Sequence, residues 1–286
     1  MKTLLVPTDF SATDFSAFRY ALSLADKLGT KEIKLVSVYH EPINVKDEPY
    51  VAATAIEDAK KKCETRLLDF IEVEKAHRPL SIKVTYEALH GYASNRIMEA
   101  AENPDIDMII MGTTGVHDQI DEWLGTVSIN VAQHAKRPVL LVPTGSKFTG
   151  IDKILYACDF SQTDFDLHTE GVIANLAEKL EAKVKVLYVS NIDKDYKMDK
   201  TVMREIFKMD APKVELETEV LEHDSTVQAI KDYAVKKEFN LIAVATKDRG
   251  FLQELFHHSI SKELAWHPDM PLLIVHAEDW KEVKKL

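Results

Sequence analysis

Short runs of apolar residues alternate with longer segments of helical periodicity along the whole chain. The runs predict five strands in each half of the sequence. Continuous apolar strands separated by helices are typical of parallel sheets that helices cover on both faces, so we expect two five-stranded α/β domains. The predicted strands are Thr3–Val6, Ile33–Tyr39, Ile82–Glu87, Met108–Met111, Val139–Val142, Ile154–Ala157, Val184–Val189, Val214–Val220, Leu241–Ala245 and Leu272–Val275.

The first predicted helix has the clearest periodicity. Apolar residues from Phe15 to Leu28 recur at spacings of three and four, which places them on one helix face. Ser11 and Thr13 precede this stripe and are residue types that favour the N-cap. Gly29 follows it and predicts the end of the helix.

The chain contains an internal repeat. Asp9–Phe15 recurs as Asp159–Phe165 at an offset of 150, with six of seven positions identical. His134–Val142 recurs as His267–Val275 at an offset of 133. These matches indicate a tandem of two similar domains, joined near Gly145–Gly150, where small and turn-forming residues accumulate.

The repeat predicts one domain over residues 1–146 and a second over residues 151–286. The last strands, Val139–Val142 and Leu272–Val275, are apolar and would be bare sheet edges if each domain stood alone. We therefore expect these two strands to pair, which relates the two domains by a pseudo-twofold axis.

Residues that could bind a ligand follow the fourth strand of the first half. Gly112 and Gly115 end the strand, nine further residues follow, and Gly125 leads into a predicted helix over Ile129–Ala135. Glycines allow close backbone approach, and a helix start offers free N–H groups and a positive dipole end to an anion. The pattern indicates a phosphate cradle, with Asp9 at the end of the first strand suitably placed for an adenine amino group or a ribose hydroxyl. The candidate cradle residues are Met111, Gly112, Gly115, Gly125, Thr126, Val127 and Ser128.

The same residues also have purely structural interpretations. Gly112 and Gly115 can shape a turn, and Thr126 can cap a helix without binding anything. Asp9 can likewise serve as an N-cap or form an Asx-turn. The residues alone leave both interpretations open.

The glycine spacing, with Asp9 after the first strand, resembles the ATP-binding signature of the universal stress protein family, and the likeness covers both halves. The resemblance implies Rossmann-like domains of the adenine nucleotide alpha hydrolase type that pair within the chain. It is also compatible with a homodimer of two chains. It also implies that Asp9 lies near the adenosine and that Val38 lines the adenine pocket. Gly112 and Gly115 would then face the ribose and phosphates.

The second half departs from this signature. At the offset of 133, Gly112 becomes Ala245, Gly115 becomes Asp248 and Gly125 becomes His258. The Cβ of Ala245 would hinder the close approach of a ligand to the backbone, and the carboxylate of Asp248 would lie near phosphate oxygens of like charge. We therefore expect ATP to bind in the first half only.

Composition and charge indicate which partners and which cellular location to expect. The formal net charge of −11 and the scattered Lys and Arg residues argue against nucleic acid as a partner. Two cysteines 95 residues apart indicate a reducing compartment, and no run of about 18 apolar residues predicts a membrane span. The short apolar run at Met1–Asp9 predicts no secretion signal, so we expect a cytoplasmic protein.

A metal site is disfavoured. Asp159, Asp248, His257 and His258 carry ligand-type side chains, but adjacent histidines on a helix point about 100° apart and rarely reach one ion.

The sequence favours a nucleotide-binding stress-response or regulatory protein over an enzyme. No Lys or Arg lies between Gly112 and Ala135, whereas phosphoryl transfer relies on cations beside the developing charge. ATP, with Mg²⁺ offsetting its charge, would be held with at most slow turnover, so we assign no catalytic residues. Two alternatives stay open: an interaction scaffold that ignores nucleotide, and an ATP-consuming enzyme of the same α/β class.

Overall fold

A computed structural model describes residues 1–40, 49–77, 79–113, 126–158, 167–190, 214–246 and 270–276. The helices in these ranges are α1 (Ala12–Leu28), α2 (Pro49–His77), α3 (Ala93–Ala101), α4 (Thr126–His134), α5 (Leu167–Leu180) and α6 (Thr226–Lys236). The strands are β1 (Thr3–Pro7), β2 (Glu32–Tyr39), β3 (Lys83–His90), β4 (Ile106–Thr113), β5 (Val139–Pro143), β6 (Lys153–Cys158), β7 (Lys183–Ser190), β8 (Leu216–Glu222), β9 (Leu241–Thr246) and β10 (Leu272–His276).

The strands form one ten-stranded sheet in the order β3-β2-β1-β4-β5-β10-β9-β6-β7-β8. Each half contributes five parallel strands in the same relative order, and only the central pair of β5 and β10 is antiparallel. The predicted fold, two five-stranded α/β units paired through their last strands, is confirmed.

The seam between the halves is buried. Leu141 pairs with Leu272, and Leu140 pairs with Leu273. All four side chains are at most 1% exposed. Because the seam hides the apolar edge of each half, neither last strand is left open to aggregation.

Alternating strand residues build two core layers. Leu4 faces the layer that includes α1, α2 and α5, whereas the adjacent Leu5 faces the layer that includes α3 and α4. Residues of α6 belong to this second layer. Both faces of the sheet are therefore covered by helices, which explains why the strands read as continuous apolar runs.

The caps of α1 follow the sequence prediction. Ser11 is the N-cap and its Oγ accepts a hydrogen bond from the Asp14 N–H at 3.3 Å. Gly29 ends the helix in the left-handed region at φ 62°, a conformation that glycine adopts without steric cost. Thr30 N–H then donates to the Ala25 carbonyl at 3.0 Å, which closes the last turn.

Some strand ends lie away from their predicted positions. β8 runs from Leu216 to Glu222, later than the predicted start at Val214, and β3 extends to His90. Both are edge strands with polar side chains, which carry little of the apolar signal. In β8 these polar residues are paired, because Lys185 Nζ lies 2.6 Å from Glu217 Oε2.

Candidate functional site

The first half of the sheet has a topological switch point between β1 and β4. The helix that follows β1, α1, covers one face of the sheet, and α4 after β4 covers the other. Connections that leave adjacent strands toward opposite faces open a crevice outside the carboxyl ends of those strands. Asp9 follows β1 and Gly112 lies at the end of β4, so both predicted residues border this crevice.

The structure places the predicted residues at different depths. Asp9 is exposed, Val38 on β2 is partly buried, and Met111 is 6% exposed within the core layer of α4. Val127 packs against the same layer. Gly115 and Gly125 lie outside the described residues.

The start of α4 supplies backbone donors. The helix begins at Thr126, so the N–H groups of Thr126, Val127 and Ser128 belong to its first turn, where no intrahelical acceptor exists. The Ser128 side chain is 8% exposed, and its hydroxyl donates to the Gly112 carbonyl at 3.2 Å. Ser128 therefore ties α4 to the end of β4 through its side chain.

Gly112 packs tightly against the start of α1. A Cβ at this position would lie 2.6 Å from Thr13 Cγ2 and 2.9 Å from the Thr13 carbonyl oxygen, too close for any larger residue. The structure thus gives Gly112 a packing role at the crevice, beside its predicted role in approach to a ligand.

Strand registers identify the equivalent position in the second half. Gly112 pairs with Val142 in β5, and Ala245 pairs with Val275 in β10. Each partner differs from its counterpart by 133 residues, so the structure aligns Gly112 with Ala245 as the repeat predicts. Asp248 and His258, the predicted equivalents of Gly115 and Gly125, lie outside the described residues.

A chain of threonine hydroxyls joins the crevice to the segment between the halves. Thr144 Oγ1 donates to the Thr113 carbonyl at 2.8 Å, and Thr13 Oγ1 lies 2.8 Å from Thr144 Oγ1. The next residue, Gly145, donates its N–H to Ser16 Oγ at 3.3 Å. The first residues after β5 are therefore fixed against both walls of the crevice.

Asp9 and Asp14 form a carboxyl pair at the crevice mouth. Asp9 Oδ1 accepts the Ser11 N–H at 2.8 Å, an Asx-turn, and the Asp9 N–H donates to Asp14 Oδ2 at 2.5 Å. Burial raises the pKa of the Asp14 carboxyl to about 7, although the Asp9 N–H acts in the opposite direction. Burial also acts to raise the pKa of Asp9, but hydrogen bonds from Asp14 and Ser11 outweigh it and lower that pKa. The pair therefore binds one proton, on Asp14, at pH values below about 7.

An aromatic and cationic group flanks the pair. Phe10 has φ 71°, an uncommon conformation for a bulky residue, and its ring packs edge-on against Phe70 of α2. The Arg66 guanidinium lies 4.0 Å from the Phe10 ring centroid, and its charge helps to lower the pKa of Asp9. Arg66 could not be predicted from the sequence, because helical periodicity assigns α2 a face but gives no contact with a loop more than 50 residues away.

The described ranges hold no group of three or more His, Cys, Asp or Glu side chains placed to bind a metal ion. Asp159, Asp248, His257 and His258 fall outside these ranges. Within the same ranges no helix has the length and apolar character needed to cross a membrane.

The chain matches a family model and several known proteins. The model of the universal stress protein family matches residues 1–143 and again residues 150–276. Universal stress protein MJ0531 of Methanocaldococcus jannaschii is 28% identical over 152 residues, which cover 51% of this chain and 84% of that protein.

The chain is also similar to solved structures. A universal stress protein from Archaeoglobus fulgidus superposes with a TM-score of 0.73 at 22% identity, covering 96% of this chain and 98% of its own. A universal stress protein solved in complex with cAMP is 22% identical and covers 50% of this chain, with a TM-score of 0.38.

Proposed function

The chain belongs to the universal stress protein family, and from this premise we propose that its first half binds an adenine nucleotide in the crevice between β1 and β4. The observation that carries the proposal is the meeting of three features at one switch point. They are the loop that holds Asp9 between β1 and α1 (residues 8–11, here the Asp9 loop), the tightly packed Gly112 and the first turn of α4. Ligands of open α/β sheets bind at this place, and anions favour helix starts.

We propose ATP as the nucleotide, on the resemblance of the glycine spacing to the family's ATP-binding signature. The N–H groups of Thr126, Val127 and Ser128 would face the phosphates, and Val38 would line the adenine pocket. Mg²⁺ bound to the phosphates would offset their charge, because the segment from Gly112 to Ala135 contains no Lys or Arg.

We propose that the nucleotide is held with little turnover, as a regulatory ligand in a stress response. Rapid phosphoryl transfer needs cations against the developing charge. Arg66, on α2, is a cationic side chain that the structure brings close to Asp9, and it lies over the Phe10 ring. Arg66 therefore fits a role in holding the Asp9 loop better than a role in transfer.

The proposal implies one nucleotide per chain. Native mass spectrometry of freshly purified protein should show one copurified adenine nucleotide, and calorimetry with Mg-ATP should saturate at one site. Gly115→Asp and Gly125→His introduce the residues of the second half and should abolish binding. Gly171→Asp is the matched control, because Gly171 in α5 has open space around its Cβ position. It should leave the affinity for Mg-ATP unchanged.

Two results would overturn the assignment. Saturation at two nucleotides per chain would place a site in the second half. Unchanged affinity in Gly115→Asp would return the glycines to a purely structural role and favour an interaction scaffold. Fast ATP hydrolysis by the purified chain would instead favour the enzyme alternative.

A further inference from the structure

A cleft of about 470 Å³ lies where the two halves meet, at the end of β5 and the start of β9 and β10. Its volume falls in the range of small-molecule sites. None of its lining residues belongs to the candidate nucleotide site. The first half and the connecting segment contribute Tyr20, Gly145, Lys147, Thr149 and Gly150, and the second half contributes Val235, Glu238, Phe239, Asn240, Met270 and Pro271.

The polar lining is rich in hydrogen-bond donors. Asn240 Oδ1 accepts the N–H groups of Asp152 and Lys153, both at 3.0 Å, so the Asn240 side chain has only its NH₂ group left for a ligand. Lys147 is exposed and has no ion-pair partner among the described residues. Glu238 is the one carboxylate in the lining.

Tyr20 adds a phenol to the lining. Its side chain is 3% exposed and packs edge-on against Phe148, with ring centroids 5.2 Å apart. Burial raises the pKa of the phenol, so the hydroxyl is protonated at neutral pH and can donate a hydrogen bond.

The remaining wall is apolar. Phe239 stacks near Tyr233, Met270 is 8% exposed, and Val235 is 46% exposed at the rim. An aromatic ring and a thioether together suit the face and edge of a ligand ring.

We propose that this seam cleft binds a small aromatic carboxylic acid. Its ring would lie against Phe239 and Met270, and its carboxylate would accept from Lys147 and the Asn240 NH₂ group. This proposal does not rest on nucleotide binding, because the two sites share no residue.

The experiment uses the full chain labelled at its methionine methyl carbons, with Mg-ATP present throughout to occupy the proposed nucleotide site. We would titrate 3-phenylpropionate and follow the eight methionine signals, with Met270 assigned through Met270→Leu. The Met270 signal should shift saturably at millimolar concentrations. The signal of Met108, fully buried in β4, should stay in place.

Two comparisons test the chemistry. The uncharged 3-phenylpropionamide and the cationic 3-phenylpropylamine should each bind at least about fivefold more weakly than the acid. Lys147→Gln should weaken binding of the acid by a similar factor. Lys62→Gln, at an exposed lysine of α2 remote from the cleft, should not change it.

Val235→Trp tests whether the acid binds in this cleft. The indole would fill the cleft from an exposed rim position and should abolish the Met270 shift. Four results would each overturn the proposal. These are no saturable Met270 shift, equal affinity for the amide, tighter binding of the amine, or a shift centred on Met111 at the nucleotide crevice.

Discussion

Gly112 and Thr13 lie so close that a single added methyl group on Gly112 would meet Thr13 Cγ2 at 2.6 Å. The contact joins the end of β4 to the first turn of α1, the two elements that border the crevice. Backbone atoms form part of the contact, because the Thr13 carbonyl oxygen would lie 2.9 Å from the same methyl group. A rotamer change of Thr13 cannot relieve that second overlap.

Gly112→Ala should therefore destabilise the protein by about 1–3 kcal/mol, since overpacking at a rigid contact forces the backbone to shift. Urea unfolding would measure the loss. Gly171→Ala is the matched control, because Gly171 lies in α5 with open space around it. That substitution should stabilise by about 0.5–1 kcal/mol through helix propensity alone. Equal effects of the two substitutions would contradict the packing role of Gly112.

The threonine chain predicts a second loss of stability. Thr144→Val keeps the side-chain shape but removes the hydroxyl that donates to the Thr113 carbonyl and contacts Thr13 Oγ1. The cost should be about 1–2 kcal/mol, because the carbonyl loses one donor and the Thr13 hydroxyl loses its partner. A double-mutant cycle with Thr13→Val should show positive coupling between the two positions. Additive effects would mean that the two hydroxyls act independently.

Much of the fold was predictable from sequence because it depends on local periodicity and on the repeat. The ten strands, the caps of α1 and the pairing of β5 with β10 all follow from apolar runs and residue types. The strand ends at β3 and β8 were harder, because edge strands pair through polar residues and give a weaker apolar signal.

Some features of the candidate site were likewise predictable from the sequence, and others were not. Glycine spacing and strand order place Asp9 and Gly112 at one crevice. The contact of Arg66 with Phe10 and the burial that raises the pKa of Asp14 depend on tertiary packing, which no spacing along the chain reports. Ser128 also differs in detail, since its hydroxyl donates to Gly112 rather than standing free for phosphate.

The seam predicts how an isolated half behaves. Residues 1–146 expressed alone would expose Leu140 and Leu141 on an unpaired β5 edge. We expect this fragment to dimerise through antiparallel β5–β5 pairing or to aggregate, and to unfold at lower urea than the full chain. Light scattering after gel filtration would measure its mass. A soluble, monomeric fragment as stable as the full chain would contradict the structural role of the seam.

The carboxyl pair predicts a specific dependence of stability on pH. Asp14 has a folded-state pKa of about 7, raised above the ordinary value of 3.8 mainly by burial. The folded protein therefore keeps a proton that the unfolded chain releases. The stabilisation from that proton is complete below about pH 4 and is lost as pH rises through 7.

Asp14→Asn should remove this dependence. The amide oxygen can accept the Asp9 N–H, and the amide NH₂ can donate to the Asp9 carboxylate, so the variant resembles the protonated state. Stability at pH 8 should rise by about 2 kcal/mol, whereas stability at pH 4 should change little. Urea unfolding midpoints measured from pH 4 to pH 8 would show the difference. Asp69→Asn, at an exposed position of α2, should leave the profile of the parent unchanged. Parallel profiles for Asp14→Asn and the parent would mean that Asp14 is ionised throughout this range in the folded protein.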